Sequence, residues 1–402
     1  MSGERRPLIP TSCEEGGENI IKKKEKSQIQ VEIVSEEEMA ILEAALAFAT
    51  RSSSSTSPVL FRQNDKIIRS ISTLSKRRLS SEASPVRDIE DATAGHVIGS
   101  PQKTNRSIEP LLHRFRRKRG LSVTDFTKTE WCEKQMEFSL HLGKPEMNKA
   151  MKAGIARHAV LEEEVLKRVD VHVKTTEDKW ALKFFNFIVG ANQLLLDGMT
   201  RELPIIGLME EDVWVVGVID EIRLSTTEGE KYPMLVDTKT RVQATLPAFP
   251  QQRNGRLQLM CYKLLWDNLA TKDFPWKKFF DFYALDSTSL LSEDIRKNTT
   301  MSGFPAETLD DLTRYFQNTC CTLLPASDQL LLRYELQEDN SLLFEDTFGY
   351  DSDWLKSQIK KCLEFWKGER EANYVPKEER WKCRYCQYAS VCSVNSVDST
   401  QK

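Results

Sequence analysis

Between residues 213 and 241 the chain runs through two stretches dominated by Val, Ile and Leu, 213–224 and 232–240. They flank the polar stretch Ser225-Thr226-Thr227-Glu228-Gly229-Glu230. That pattern predicts a β-hairpin with a loop longer than two residues. Each predicted strand carries an acid. Asp220 interrupts the Val-Val-Gly-Val-Ile run, and an ionised carboxylate in an apolar strand is costly unless a cation or hydrogen-bond donors meet it. Asp237 and Lys239 stand two apart on the second strand, so period-two alternation points both to one face.

Elsewhere the apolar period is mostly helical. Thr127 with Glu130 forms a capping box that opens a helix carrying Trp131, Cys132 and Phe138. Further helices are predicted over about 148–168, 178–196, 251–270, 306–323 and 351–367, and strands over about 278–285 and 329–336. The expected class is therefore α/β, with order beginning near Leu121, one domain over 106–395 and a tail at 396–402. Residues 1–105 are rich in Ser, Lys, Arg and Glu and poor in aromatics, which is the composition of a largely disordered region. One island breaks it: Ser35 with Glu38, then Met39, Leu42 and Leu46, predicts a short amphipathic helix over about 35–49. Glu4, Glu14, Glu15 and Glu18 do not suit an organellar transit peptide. The Ser- and Arg-rich stretch from Met39 to Arg78 does, so initiation at Met39 would give an organelle-targeted form.

With 402 residues, 40% of them hydrophobic, the chain can bury a sizeable core. No run of about 18 apolar residues exists, so no membrane-spanning helix is predicted. The formal net charge of -3 does not mark a nucleic-acid binder, yet charge is clustered. Arg114, Arg116, Arg117, Lys118 and Arg119 precede the domain, Arg253 and Arg256 follow the hairpin, and Arg380, Lys382 and Arg384 come late. Basic surface beside an acidic metal site suits a polyanion.

Nine cysteines in a long chain without a secretory signal argue for a reducing compartment rather than a disulfide scaffold. Cys383, Cys386 and Cys392 form C-x2-C-x5-C, and Cys132 is the candidate fourth ligand. Spacing leaves zinc and an iron–sulfur cluster both open. Closing the loop from 132 to 383 costs about 5 kcal/mol of chain entropy, which a multidentate metal site offsets. Cys261, Cys320, Cys321 and Cys362 lie in apolar helical contexts and are expected to be packing residues. On the predicted helices, Gly154 lies one turn before His158, and Gln258 one turn before Tyr262. A carboxylate on each of two paired strands with a lysine beside one can hold Mg²⁺ and orient a water against a phosphodiester. A cross-strand surface ion pair would explain the same residues.

Taken in order, Gly154-x-x-x-His158, Val216-Gly217-Val218-Ile219-Asp220-Glu221, Asp237-Thr238-Lys239, Gln258-x-x-x-Tyr262 and the four cysteines resemble the exonuclease V family of RecB-type nucleases, over about residues 106–395. The resemblance implies a PD-(D/E)xK nuclease core, a central mixed β-sheet flanked by helices, acting as a Mg²⁺-dependent single-stranded-DNA exonuclease in DNA repair or genome maintenance. Asp220 and Asp237 would hold Mg²⁺, with Mn²⁺ as a substitute, and Lys239 would orient the nucleophile or stabilise charge on the phosphate. His158 would assist at the metal, and Gln258 and Tyr262 would support the site or the strand. Cys132, Cys383, Cys386 and Cys392 would ligate a [4Fe–4S] cluster that closes the C-terminal segment back on an N-terminal helix. The implied partners are single-stranded DNA and single-strand DNA-binding proteins, with no membrane, for a monomer in the nucleus or a DNA-containing organelle. Trp131, Tyr262 and Arg253 are available for stacking and basic contacts along a strand. One departure stands out: many relatives have Glu where this chain has Asp237. A catalytically silent DNA-binding module of the same fold is the alternative, and a zinc-stapled regulator has no helix-turn-helix or finger spacing to support it.

Overall fold

The computed structural model describes residues 30–35, 39, 109–144, 146–227, 230–271 and 273–393. In chain order these form β1 (Gln30–Ser35), α1 (Leu111–Arg116), β2 (Leu121–Ser122), α2 (Val123–Trp131), α3 (Glu133–Leu142), α4 (Lys149–Glu163), β3 (Leu166–Val171), α5 (Thr176–Asp197) and β4 (Met199–Leu208). There follow β5 (Trp214–Thr227), β6 (Glu230–Arg241), α6 (Phe249–Thr271), α7 (Trp276–Tyr283), α8 (Glu293–Met301), α9 (Leu309–Cys321), β7 (Gln329–Leu336), β8 (Leu342–Gly349), α10 (Ser352–Trp366) and a 3-10 segment, Lys377–Tyr385.

The alternating runs do form an antiparallel hairpin, β5 with β6, and it is the middle of a mixed sheet ordered β2-β5-β6-β7-β8, with β4 also paired to β5. The β5–β6 ladder runs from the hairpin loop to Glu221 opposite Val236 and stops. The next positions are Asp220 and Asp237. The two acids therefore stand at a fork, where the strands part and side chains from other elements can enter. Helices flank the sheet, and α5, α7 and α9 meet in an aromatic core in which Phe184, Phe279 and Phe316 pack ring to ring.

Several elements differ from expectation. The segment 278–285 was expected as a strand because Phe and Tyr favour strands; it is helical, since Phe279 and Tyr283 share a face and both bury against Trp180. The helix expected over 148–168 stops at Glu163, and Leu166–Val171 turns into strand β3. Its partner is β1, which pairs with it in parallel inside the region expected to be largely disordered. Asn186 clamps β1 by accepting from Ile33 N–H at 3.0 Å and donating to Ile33 C=O at 2.8 Å, and Ile33 is fully buried. Of the helix expected over 35–49, Ser35 ends β1 and Met39 is helical; residues 40–49, and the acid-poor stretch after them, lie outside the described residues. The capping box that opens α2 is Ser122 with Asp125, five residues before the expected one. Strand β8 was not anticipated.

Candidate active site

Each residue singled out around the hairpin converges on the fork. A Cβ at Gly154 would lie 3.2 Å from Thr240 Oγ1, so the glycine lets α4 settle against β6. One turn on, His158 Nε2 lies 3.0 Å from the Thr238 carbonyl oxygen. A carbonyl can only accept, so Nε2 carries the hydrogen, and Nδ1 faces Glu202 at 3.4 Å and Asp220 at 3.7 Å.

Glu202 is the residue that sequence reasoning missed. It sits inside β4 with φ of 48°, a left-handed conformation that costs a non-glycine residue about 1–3 kcal/mol. The β4–β5 ladder continues on both sides, Arg201 opposite Glu221 and Leu203 opposite Ile219, but omits Glu202 and Asp220. The interruption turns the Glu202 carboxylate to His158 and Asp220, whose ligand atoms together with its own all lie within 4.8 Å of one another. Nothing in Arg-Glu-Leu-Pro announces this.

Asp237 is 1% exposed, and Lys239 Nζ stands 2.7 Å from its Oδ2, yet neither carboxylate oxygen accepts a well-aligned hydrogen bond. Burial, then the charge of Asp237, pushes the Asp220 carboxyl well above the ordinary range. For Asp237 burial acts the same way, but the Lys239 ammonium, with Asp220 and His158 nearby, outweighs it and holds the carboxyl low. Burial disfavours protonated His158, but the Glu202 carboxylate prevails and raises it. Three acidic side chains thus crowd against one lysine and one imidazole.

Lys239 also donates to Gln258 Oε1 at 2.8 Å from α6. Gln258 in turn hydrogen-bonds Tyr262, whose hydroxyl burial and the two aspartates push well up, keeping it protonated. A Cβ at Gly217 would come within 2.5 Å of the Tyr262 ring, so the glycine of the Val-Gly-Val-Ile-Asp run admits that ring against β5. Glu221, next to Asp220, serves another purpose: it is 3% exposed and held by Arg201 Nε at 2.8 Å and by Arg223.

The four cysteines singled out also come together. Cys132 breaks the chain between α2 and α3 with an extended backbone (φ −170°), and its sulfur caps α3 by accepting from Gln135 N–H at 3.4 Å. It lines one cavity with Cys383, Cys386 and Cys392, walled by Trp131, Phe138 and Tyr374. Burial raises the Cys132 thiol, and the three facing thiols raise it further. Among the described residues, no three of these sulfurs lie within 4.8 Å of one another. Buried Lys382 brings a cation to the cavity wall, 4.0 Å from the Trp131 ring centre and 2.6 Å from Glu379. Cys261, Cys320 and Cys362 are buried packing residues as expected, whereas Cys321 is exposed.

The residues expected to line a strand channel are committed elsewhere. Trp131 packs on Trp381 and Lys382, Tyr262 is 5% exposed, and Arg253 is paired with Glu130 at 2.6 Å and Glu379 at 3.0 Å.

Among known proteins, the family model described as "Exonuclease V - a 5' deoxyribonuclease" matches residues 110–232, 225–319 and 299–394. Exonuclease V of Danio rerio is 31% identical over 319 residues, covering 78% of this chain and 79% of its own. A relative from Candida dubliniensis named "Exonuclease V, mitochondrial" is 32% identical over 74 residues, 18% of this chain and 12% of that protein. A solved structure described as "Crystal structure of SSO0001" gives a TM-score of 0.30 at 11% identity, covering 68% of this chain and 86% of that chain, a likeness too loose to carry weight.

Proposed function

The chain belongs to the exonuclease V family and is a deoxyribonuclease; from that premise we propose that it hydrolyses single-stranded DNA from a 5′ end, with the fork of β5 and β6 as its metal-dependent active site. One observation carries the reading. Ligand atoms of His158, Glu202 and Asp220 gather within 4.8 Å, next to a buried Asp237 paired with Lys239. Carboxylate oxygens with one imidazole nitrogen fit Mg²⁺ or Mn²⁺. Bound there, the ion would supply a Lewis acid for the phosphoryl oxygens and lower the pKa of the attacking water.

The chain's own groups do the positioning. Asp237 and Gln258 hold the Lys239 ammonium from two sides, so it can donate to a phosphate oxygen where negative charge grows. Tyr262 fixes Gln258, and Gly217 makes room for Tyr262, so the lysine is supported from the helix behind it. The Thr238 carbonyl fixes the His158 tautomer and leaves Nδ1 directed at the acids.

The same reading assigns Cys132, Cys383, Cys386 and Cys392 to a [4Fe–4S] cluster, supported by their lining of one cavity, and makes the sheet a PD-(D/E)xK core. The cluster would fasten the C-terminal segment to the α2–α3 break and leave chemistry to the acids. The protein would act as a monomer in DNA repair or genome maintenance, handed substrate by single-strand DNA-binding proteins, in the nucleus or an organelle. The mitochondrial name of the Candida relative supports the latter, and no described helix is long and apolar enough to cross a membrane. Asp237→Ala and Lys239→Ala test the assignment: both should still bind a single-stranded oligonucleotide and lose cleavage. Wild-type protein inert with Mg²⁺ and with Mn²⁺ would overturn it in favour of a DNA-binding module.

A further inference from the structure

We propose that β1, although it comes from the N-terminal region, is a working part of the nuclease: its Glu32 positions the two metal-facing groups that lie off the hairpin, His158 and Glu202. This rests on the nuclease reading and deepens it. The ligand atoms that gather at the fork belong to His158, Glu202 and Asp220, so Glu32 acts through its neighbours rather than at the metal. Ile33 and Val34 of β1 are buried and cover the core. A strand that served only as a cover would have no need of an acid at this position, where the side chain keeps 12% exposure and costs free energy even with an arginine beside it.

Two routes lead from Glu32 to the fork. In the first, the β1–β3 register sets Glu32 opposite Arg168, and Glu32 Oε2 lies 3.7 Å from Arg168 Nε. Arg168 in turn donates to Glu162, which is buried and stands one helical turn beyond His158 on α4. The pair thus fixes the end of the helix that delivers the imidazole. In the second, Glu32 and Glu202 line one small cavity together with Asn186, Gly190 and Arg201. Burial, then Glu162, pushes the Glu32 carboxyl well above the ordinary range, and the Glu202 charge adds to this, so the two acids act on each other. Glu202 keeps a left-handed backbone, a conformation that persists only where its surroundings over-determine it. Part of those surroundings is β1, which Asn186 grips through both the N–H and the C=O of Ile33. A product started at Met39 would carry every residue of the fork and lack β1, leaving β3 without a strand partner. Such a product should bind the metal more weakly than the full chain.

Removing a group that orients metal ligands from behind costs about 10–100-fold in metal affinity or activity. The test compares the full chain, its Glu32→Ala variant and a chain started at Met39, by single-turnover cleavage of a single-stranded oligonucleotide across a Mg²⁺ series. Mn²⁺ binding followed by electron paramagnetic resonance and urea unfolding are measured on the same proteins. Glu32→Ala is expected to raise the half-saturating Mg²⁺ concentration about 10-fold, with the rate at saturating metal within about threefold of wild type, and to weaken Mn²⁺ binding alike. The chain started at Met39 should show a shift at least as large. If it fails to fold, the full-length Glu32→Ala variant decides alone. A lowered urea midpoint with an unchanged Mg²⁺ response would reduce β1 to a cover for the core and overturn the proposal, as would a Glu32→Ala variant like wild type in every respect. A full chain that cleaves with neither Mg²⁺ nor Mn²⁺ overturns the nuclease reading beneath it.

Discussion

Glu202→Gln keeps the shape of the side chain and removes one negative charge from the fork. The Glu202 carboxylate lies 3.4 Å from His158 Nδ1. A unit charge pair at that distance is worth about 1.2 kcal/mol in water and about 5 kcal/mol at an effective dielectric constant of 20. Glu202 keeps 24% of its side-chain exposure, so the lower part of that range applies. A divalent cation held by the same group roughly doubles the interaction, and the remaining amide oxygen recovers part of it, leaving a loss of about 3 kcal/mol, or about 100-fold in metal affinity. The assay is single-turnover cleavage of a 5′-labelled oligonucleotide across a Mg²⁺ series, paired with a Mn²⁺ titration followed by electron paramagnetic resonance. The half-saturating metal concentration should rise about 100-fold, while the rate at saturating metal falls much less. A variant whose Mg²⁺ dependence stays within about twofold of wild type would show that Glu202 does not face the metal.

Other consequences follow from packing and charge. Gly217→Ala puts a methyl group where the Tyr262 ring stands, at 2.5 Å, and should cost about 1–3 kcal/mol in urea unfolding together with reduced cleavage; an unaltered unfolding midpoint would contradict the packing described. Asp125, 4% exposed and paired with Arg116 at 2.8 Å, has burial working to raise its carboxyl, but the guanidinium and the Ser122 bonds hold it low. Asp125→Asn should therefore cost about 3 kcal/mol at neutral pH. That gap is complete above the ordinary carboxylate value of 3.8 and closes as pH falls through the lowered folded-state value; a gap independent of pH would refute the pairing. Cys386→Ser should lose iron and melt at lower temperature, and folded, iron-free protein with full cleavage activity would count against a structural cluster.

The hairpin and its acids were legible because alternation, an Asp in an apolar run and a Lys two residues from the second Asp are local patterns. Gln258 with Tyr262 was legible as a helical face, although only the fold shows that Lys239 is the group it holds. Glu202 was not legible because its role arises from one left-handed residue and a gap in a ladder, neither of which leaves a compositional mark. The pairing of β1 with β3 was hidden for another reason: each is six residues long, and the stabilising partner lies more than 130 positions away. In α7, strand-favouring aromatics obey a tertiary demand to present Phe279 and Tyr283 to Trp180. Trp131 and Arg253 looked free in sequence because their partners, Trp381, Lys382 and Glu379, come from the far end of the chain.

Crystals soaked in Mn²⁺ and measured at the manganese edge put the central claim to its most direct trial. An anomalous peak within bonding distance of Asp220, Glu202 and His158, on the side facing Asp237, is the expected result. Manganese bound only elsewhere, with those four side chains left to Lys239 and to one another, would contradict it.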